Sequence, residues 1–312
     1  MTTAGAPRFI AAFAGLIAMI DPSIGVAQPH VPLPAVNLGG SSFLDGAGGP
    51  GLFTRETVSA AWGTDLRTGD GAAVPGDYSL AAVVSLTQLA YTVPHEILGV
   101  HYGFGVVVPV GVVTTTIDGR TDTSGGLGDL VVSPLMLQLP SVRTRDVQLL
   151  HKFVADVFVP TGRYDRSTLT NLGRNAWSLN PFYAVTLIVR DRWEVSARLH
   201  YIWTSENHAP PAAYGDVASI QSGQAVHLNA ASSYAFTPEV RVGVSGYFLR
   251  QVTPSRIGGS RTRGDEEQVA AIGPGVELSF GEFHLVANAY GEFAARSRFR
   301  SWTGGVTLKR AW

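Results

Sequence analysis

The chain has 312 residues, a formal net charge of −1 and 15% charged residues, where a soluble domain has about 25%. Without excess positive charge, recruitment of nucleic acid or anionic lipid by bulk charge is excluded. Cysteine is absent, which removes disulfides, thiol catalysis and cysteine-ligated zinc, and 36 glycines beside 45% apolar residues argue against a soluble α/β enzyme.

Residues 1–27 have the layout of a secretory signal peptide. Arg8 supplies a thin positive region, Phe9 to Ile20 form an apolar run, Asp21-Pro22 break it, and Gly25 and Ala27 sit at −3 and −1 of a cut before Gln28. The run is too short for a membrane helix, which needs ~20 apolar residues. No later stretch is apolar, long and uncharged enough to be one.

Residues 28–50 are rich in Pro and Gly, show no sustained period and read as an irregular N-terminal segment. From residue 51 to 312 the texture becomes alternating. In "RWEVSARLHYIWT", Trp193, Val195, Ala197, Leu199, Tyr201 and Trp203 oppose Arg192, Glu194, Ser196, Arg198, His200, Ile202 and Thr204. Period two of this kind is a strand with one apolar and one polar face, and here the apolar face carries aromatics at both ends. Trp302, Gly304, Val306, Leu308, Arg310 and Trp312 repeat the layout against Thr303, Gly305, Thr307 and Lys309. Stretches around Val226–Tyr234, Val240–Phe248 and Phe283–Phe293 alternate likewise. Val147–Val159 does so less cleanly, with His151 on the apolar face and Leu150, Val154 and Phe158 on the other.

Twelve strands are predicted, starting near 51, 78, 96, 126, 146, 176, 192, 221, 238, 266, 282 and 302. Short connections (Pro94-His95, Arg190-Asp191, Thr237-Pro238, Gly281) alternate with long ones (66–77, 116–125, 160–175, 205–220, 252–265). An even number of strands with short turns at one end and long loops at the other is the plan of an outer-membrane barrel. A soluble β-sandwich is the competitor, but its strands average about five or six residues and its apolar face needs no aromatic rims. The expected fold is therefore all-β: a closed, transmembrane, antiparallel up-and-down barrel of about twelve strands. Residues 28–50 are a candidate plug of its lumen, the alternative being a disordered periplasmic tail. Expected interface aromatics are Trp193, Tyr201, Trp203, Trp302 and Trp312.

The faces opposite the apolar ones then point inward with Lys152, Asp156, Glu194, Arg198, His200, His227, Asn229, Arg241, Glu277, His284, Asn288, Tyr290 and Glu292. They either pair with one another and fill the lumen or line a polar conduit. Twelve strands lie between small filled barrels and the 16–18-stranded water-filled porins, so a narrow or partly plugged pore is expected. Tyr247, Gln251 and, in a long loop, Asn207 join the pore candidates.

No catalytic constellation emerges. The residues two past a histidine include Phe153, Ile202, Asn229 and Val286, none a serine that an adjacent histidine could activate. HExxH and similar metal spacings are absent, so no metal or cofactor is expected. "RGDEEQ" (263–268) lacks the alternating ligands of a calcium loop, and "GGLGDL" (125–130) lacks the helix and lysine of a phosphate loop.

Seven separated motifs resemble one outer-membrane family. They are "LPAVNLGGSSFLDGAGGPG" at the start, "GGLGDLVVSP" (125–134), "VPTGRYD" (159–165), "NLGRNAWSLNPFYAVT" (171–186), "GYFLRQVT" (246–253), "IGPGVEL" (272–278) and the closing "GGVTLKRAW". The chain is similar to the MetA-type phenol meta-pathway degradation family over essentially all of its mature length. The resemblance implies a barrel that passes hydrophobic or aromatic compounds across the outer membrane. The chain departs from it after "RQVT", where Pro254-Ser255-Arg256 replace acidic residues. A final strand ending in an aromatic, Trp312, is like the terminal signal read by the barrel-assembly machinery of bacterial outer membranes.

Three functions are open on these grounds. A channel for small apolar or aromatic solutes would use the loop 160–175, with Arg163, Tyr164, Asn171, Asn175 and Trp177 contacting the solute. A structural or adhesive barrel would bind an external partner through its long loops. An outer-membrane hydrolase lacks its nucleophile pair.

Overall fold

The computed structural model describes residues 30–40, 43–168 and 170–312, so the signal-peptide segment 1–27 lies outside the described residues. From the N-terminus the strands are β1 (Gly51–Leu66), β2 (Tyr78–Ile97), β3 (Val100–Ile117), β4 (Arg120–Leu127), β5 (Leu130–Gln138) and β6 (Val142–Arg143). Next come β7 (Val147–Val159), β8 (Ser178–Val189), β9 (Trp193–Thr204), β10 (Ile220–Gln221) and β11 (Ala225–Ala235). The last are β12 (Val240–Gln251), β13 (Arg256–Ile257), β14 (Ser260–Arg261), β15 (Gln268–Phe280), β16 (Phe283–Arg296) and β17 (Phe299–Ala311).

The long strands pair in the ring order β1-β2-β3-β4/β5-β7-β8-β9-β11-β12-β15-β16-β17 and back to β1, with every pairing antiparallel. Strands β4 and β5 both pair β3, over Val110–Ile117 and His101–Val107 respectively. They are one strand interrupted at Gly128-Asp129, so the closed barrel has twelve strands. Closure leaves no unpaired sheet edge, as hydrocarbon requires. The two-residue strands β10, β13 and β14 form a small separate sheet in the long loops, and β6 extends a turn beside β7.

Alternation produces the two faces. Along β9, Glu194, Ser196, Arg198, His200, Ile202 and Thr204 are buried while Trp193, Val195, Leu199 and Tyr201 are exposed on the outer face. Outside, Trp62 pairs with Trp302, and ten residues lower Leu52 accepts a hydrogen bond from the amide of Trp312. Ten residues of tilted strand span roughly 25 Å, the height of the apolar band of a membrane barrel. Trp193, Tyr201, Trp302 and Trp312 are exposed on that outer surface, whereas Trp203 is half-buried.

Two connections differ from those the sequence predicts. Strand β2 runs through Pro94-His95 and turns at Leu98-Gly99, both in the left-handed region that suits a two-residue hairpin. A register shift between Thr92 and Glu96 places Pro94 in a bulge, where its missing N–H costs no ladder bond. The predicted long loop 116–125 is instead a tight turn at Asp118-Gly119, with φ of 50° and 80°, and strand resumes at Arg120.

Candidate functional site in the barrel lumen

Residues 30–40 and 43–50 thread the lumen from the long-loop end to the short-turn end. At the long-loop end the His30 ring reaches Glu267 Oε1 at 3.0 Å and the Asp265 carbonyl at 3.1 Å, and Tyr214 donates to the His30 carbonyl. The Leu33 amide donates to Glu267 Oε1 at 2.7 Å, and Arg174 and Ser222 hold the carbonyls of Leu33 and Pro32. Lower down, Asn229 exchanges hydrogen bonds with the Gly39 amide and the Asn37 carbonyl, and Tyr290 donates to the Gly39 carbonyl. Gly39, at φ +69°, lies so close to Tyr290 that a Cβ there would come within 2.7 Å of the ring. Near the short-turn end the amides of Leu44, Asp45 and Gly46 donate to Glu194, Ser196 and Thr186, and Asp45 pairs with Arg198. Lys152 donates to the Ala47 carbonyl at 2.9 Å.

A segment without regular structure must find partners for its backbone, and here the inward polar side chains of the wall supply them. The partners come mainly from β8, β9, β11, β16 and the long loops, and with β12 and β15 these strands form a filled half. Leu33 joins Ile202, Tyr247, Leu249, Val269 and Tyr290 in an apolar cluster, with Val36 and Leu38 packed against it. The buried acids there are satisfied: Glu194 accepts from Ser196 and Ser233, and Glu292 from Tyr247, the Ser301 amide and Arg298. Glu277 pairs with Lys309 at 2.9 Å and His284 at 3.3 Å, and Asn288 donates to Ser245. Arg241 donates to Ser233. His200 and His227 stack with ring centroids 3.8 Å apart, and His200 Nδ1 meets Asn180 Oδ1 at 2.9 Å. Gln251 bonds Thr253, Ser255 and the Glu267 amide and thereby ties a loop to the wall.

The other half is open. A cavity of about 1080 Å³ is lined from Gly51 and Ala311 at the short-turn end to Asn171 and Tyr214 at the long-loop end. Its wall is largely aliphatic: Leu80, Ala82, Val84 and Leu86 of β2, Val107, Pro109 and Val113 of β3, Val131, Val154 and Phe158. Toward the short-turn end Arg55, Lys152, Asp156 and Arg198 face the cavity with Asp45 of the threaded segment, and toward the long-loop end Asp129, Asn171, Arg174, Asn207 and Glu267 line it. Asp156 accepts from Ser133 at 2.5 Å. Sequence reasoning missed Arg55, because Arg55 and Glu56 put a charge on both faces of β1 and hide its orientation. Glu56 points outward, in the apolar band, and accepts from Ser85 at 2.5 Å and Thr87 at 2.6 Å.

The loop 160–177 is anchored at the interruption in the wall. Asp129 Oδ1 accepts from the Gly162 amide at 2.9 Å and Oδ2 from the Arg174 amide at 2.8 Å. The Arg163 amide donates to the Leu127 carbonyl, and the Gly173 amide to the Arg163 carbonyl. "GGLGD", "VPTGR" and "NLGRN" thus meet in one clasp. Gly162 has no left-handed φ; what requires glycine is the approach of backbones, since a Cβ would lie 2.6 Å from the Gly128 carbonyl carbon and 2.7 Å from Gly173 Cα. Of the loop residues singled out from the sequence, Tyr164 and Asn171 reach the cavity. Tyr164 also donates to the Ala209 carbonyl and accepts from Asn207, while Asn171 accepts from the Asp165 amide. Arg163 donates to the Gly125 carbonyl, Asn175 to Asn207, and Trp177 is exposed, so these three make their contacts away from the cavity wall. Asn207 itself lines the cavity.

At the long-loop mouth, burial alone would raise the Glu267 carboxyl. The hydrogen bond and charge of His30, the Arg298 guanidinium and the Leu33 amide outweigh it and hold the carboxyl at about 2. Burial pushes the Asp265 carboxyl and the Tyr214 hydroxyl up. Among the described residues no group of three or more His, Asp or Glu side chains could hold a metal ion.

A closed twelve-stranded barrel with an apolar outer band and aromatic rims belongs to the class of outer-membrane barrels. The chain belongs to the family described as "Putative MetA-pathway of phenol degradation", whose model matches residues 63–308. Among solved structures, the chain is similar to the COG4313 outer membrane channel from Pseudomonas putida F1. That match has 16% identity and a TM-score of 0.76, and covers 87% of this chain and 99% of that one. It also matches the translocator domain of the autotransporter NalP from Neisseria meningitidis, with 13% identity and a TM-score of 0.49 over 85% of this chain and 90% of that one. No curated protein matches the sequence.

Proposed function

We propose that the protein is an outer-membrane channel that lets small, hydrophobic or aromatic compounds pass through the open half of its lumen. The observation that carries this reading is the cavity, lined at both ends of the barrel and walled on its β2 and β3 side mainly by aliphatic side chains. Water-filled pores are lined by polar groups; an aliphatic wall favours solutes that leave water readily. Two likenesses support the same reading: the family is described by phenol degradation, and the similar Pseudomonas putida protein is an outer membrane channel. Residues 30–40 and 43–50 act as a constriction that narrows a wider barrel to this conduit. The apolar band and its aromatic rims face outer-membrane lipid, and the strand ending at Trp312 is the one offered to the assembly machinery.

Planar-bilayer recordings and uptake of toluene and phenol into vesicles holding the purified protein test this. Openings, and uptake faster than in empty vesicles, are expected. A silent barrel with uptake no faster than the lipid background would return the adhesive reading.

A further inference from the structure

The open half of the lumen is apolar, yet two cations face it without a carboxylate within 4.0 Å among the described residues. Arg198 is matched by Asp45 and Lys309 by Glu277, whereas Arg55 and Lys152 appear in no ion pair. Arg55 Nε is buried and has no hydrogen-bond partner. Lys152 gives one of its three donors to the Ala47 carbonyl. The two stand at similar depth: Arg55 is four residues into β1 from Gly51, and Lys152 five into β7 from Val147. Counting Arg55, Lys152 and Arg198 against Asp45 and Asp156, the centre holds three cations and two carboxylates, a surplus of one positive charge. A cation facing an apolar cavity is costly unless an anion or ordered water meets it.

Above this centre the wall becomes mainly apolar. On β2 the inward residues one and two rungs beyond Gln88, the partner of Arg55, are Leu86 and Val84; on β7 the cavity wall continues from Lys152 through Val154 and Asp156, which Ser133 holds, to Phe158. Cationic donors at the foot of an aliphatic slot match a molecule with an apolar body and one anionic end. We propose that the lumen carries a binding site for monocarboxylates with an aromatic or alkyl body, with Arg55 and Lys152 receiving the carboxylate and the β2 and β7 walls the body. This deepens the channel reading and rests on it for the identity of the conduit, while the site itself is tested by binding alone.

Calorimetric titration of 4-phenylbutyrate and of the neutral 4-phenylbutanol into the folded barrel in detergent, with micelle blanks, tests it at neutral pH. The acid is expected to bind roughly tenfold more tightly than the alcohol, the difference made by charge-assisted hydrogen bonds. Arg55→Gln/Lys152→Gln should erase that preference and leave the alcohol unchanged, while Lys309→Gln, whose cation is already paired, should keep it. The electrophoretic shift between heated and unheated samples verifies that each variant is folded. Equal or weaker binding of the acid by the unaltered protein overturns the proposal, as does an acid preference that survives in the folded double variant. The wild-type ratio decides even where the double variant does not fold. A conducting barrel without acid preference sinks the site and leaves the channel; acid preference in a silent barrel does the reverse.

Discussion

The two halves of the lumen are built from opposite materials. Along β8 to β16 the inward faces are largely polar and meet the protein's own residues 30–40 and 43–50, hydrogen bond by hydrogen bond. Along β1 to β7 the inward faces are mostly aliphatic and meet a cavity. Polar lining here does not mean a polar passage. It marks the surface that must satisfy a buried backbone, and the proposed route of a solute is the half where the wall binds little of the chain's own, Gln138 and Lys152 apart. The contrast breaks most visibly if the segment is removed. Deleting residues 30–46 should raise single-channel conductance severalfold and add permeability to polar solutes, because Asn229, Glu194 and Thr186 would then face water. Unchanged conductance and selectivity would mean that the segment does not constrict the pore.

Where the filled half borders the cavity, Asp45 and Arg198 are both largely buried and bond each other. Removing one member of such a pair leaves a charge without its partner, a loss of about 3–5 kcal/mol. Arg198→Ala should therefore lower the denaturation midpoint of the barrel in urea and make its channel noisier as the segment loosens. A midpoint within error of wild type would show that the pair is solvated.

Aliphatic residues separate the halves more finely. Leu249 is 1% exposed within the apolar cluster of the filled half, whereas Leu86 faces the cavity. Leu249→Ala should cost about 2–5 kcal/mol, the range for a close-packed core leucine. Leu86→Ala removes few contacts and should cost under about 1 kcal/mol, yet change uptake of aromatic solutes. Equal costs in urea unfolding would mean that the β2 wall is packed and the cavity is closed in solution.

The barrel is legible in the sequence because alternation with aromatic ends is a direct product of a strand crossing a bilayer, as in Trp193–Thr204. Two turns are misplaced by sequence reasoning for local reasons. Asp118-Gly119 is a strong hairpin pair hidden in a Thr- and Gly-rich stretch, and Pro94 reads as a strand break because a bulge cannot be seen in one strand alone. The polar inward residues of β9, β11 and β16 are legible by the same alternation. The aliphatic conduit is not. In "SLAAVVSLTQLAYTV" both faces of β2 are apolar, so the expectation of a polar lumen gives no sign that Leu80, Val84 and Leu86 turn inward. Arg55 is hidden by its neighbour Glu56. The loop motif "PTGR" is visible as a distinctive feature, but its role depends on Asp129 in a distant motif, a contact that sequence spacing cannot report.

The smallest expected effect lies at the mouth, where the filled half ends. Glu267 joins His30 and the Leu33 amide, so it fastens the end of the segment to the loop before β15. Its carboxyl is held down at about 2 from an ordinary 4.5. A depressed carboxyl contributes stability that is fully present above its unfolded value and lost as pH falls through its folded one. The fastening should thus be complete above about pH 5 and weaken between roughly pH 4.5 and 2, a loss of at most about 3 kcal/mol. Asp265, raised by burial, works in the opposite direction in the same acid range and reduces the net change. Accessibility to a thiol reagent of a cysteine introduced at Val31, which is buried in the structure, reports release of the segment. Labelling should accelerate between pH 4.5 and 2, read with a disulfide-exchange reagent active in acid, and Glu267→Gln should label faster than wild type at pH 7 with most of its acid dependence gone. Flat labelling of the wild-type protein across that range would show that His30 and Glu267 do not hold the segment, and the boundary between the two halves would then rest on the contacts lower in the lumen, such as those of Asn229, Tyr290 and Arg198.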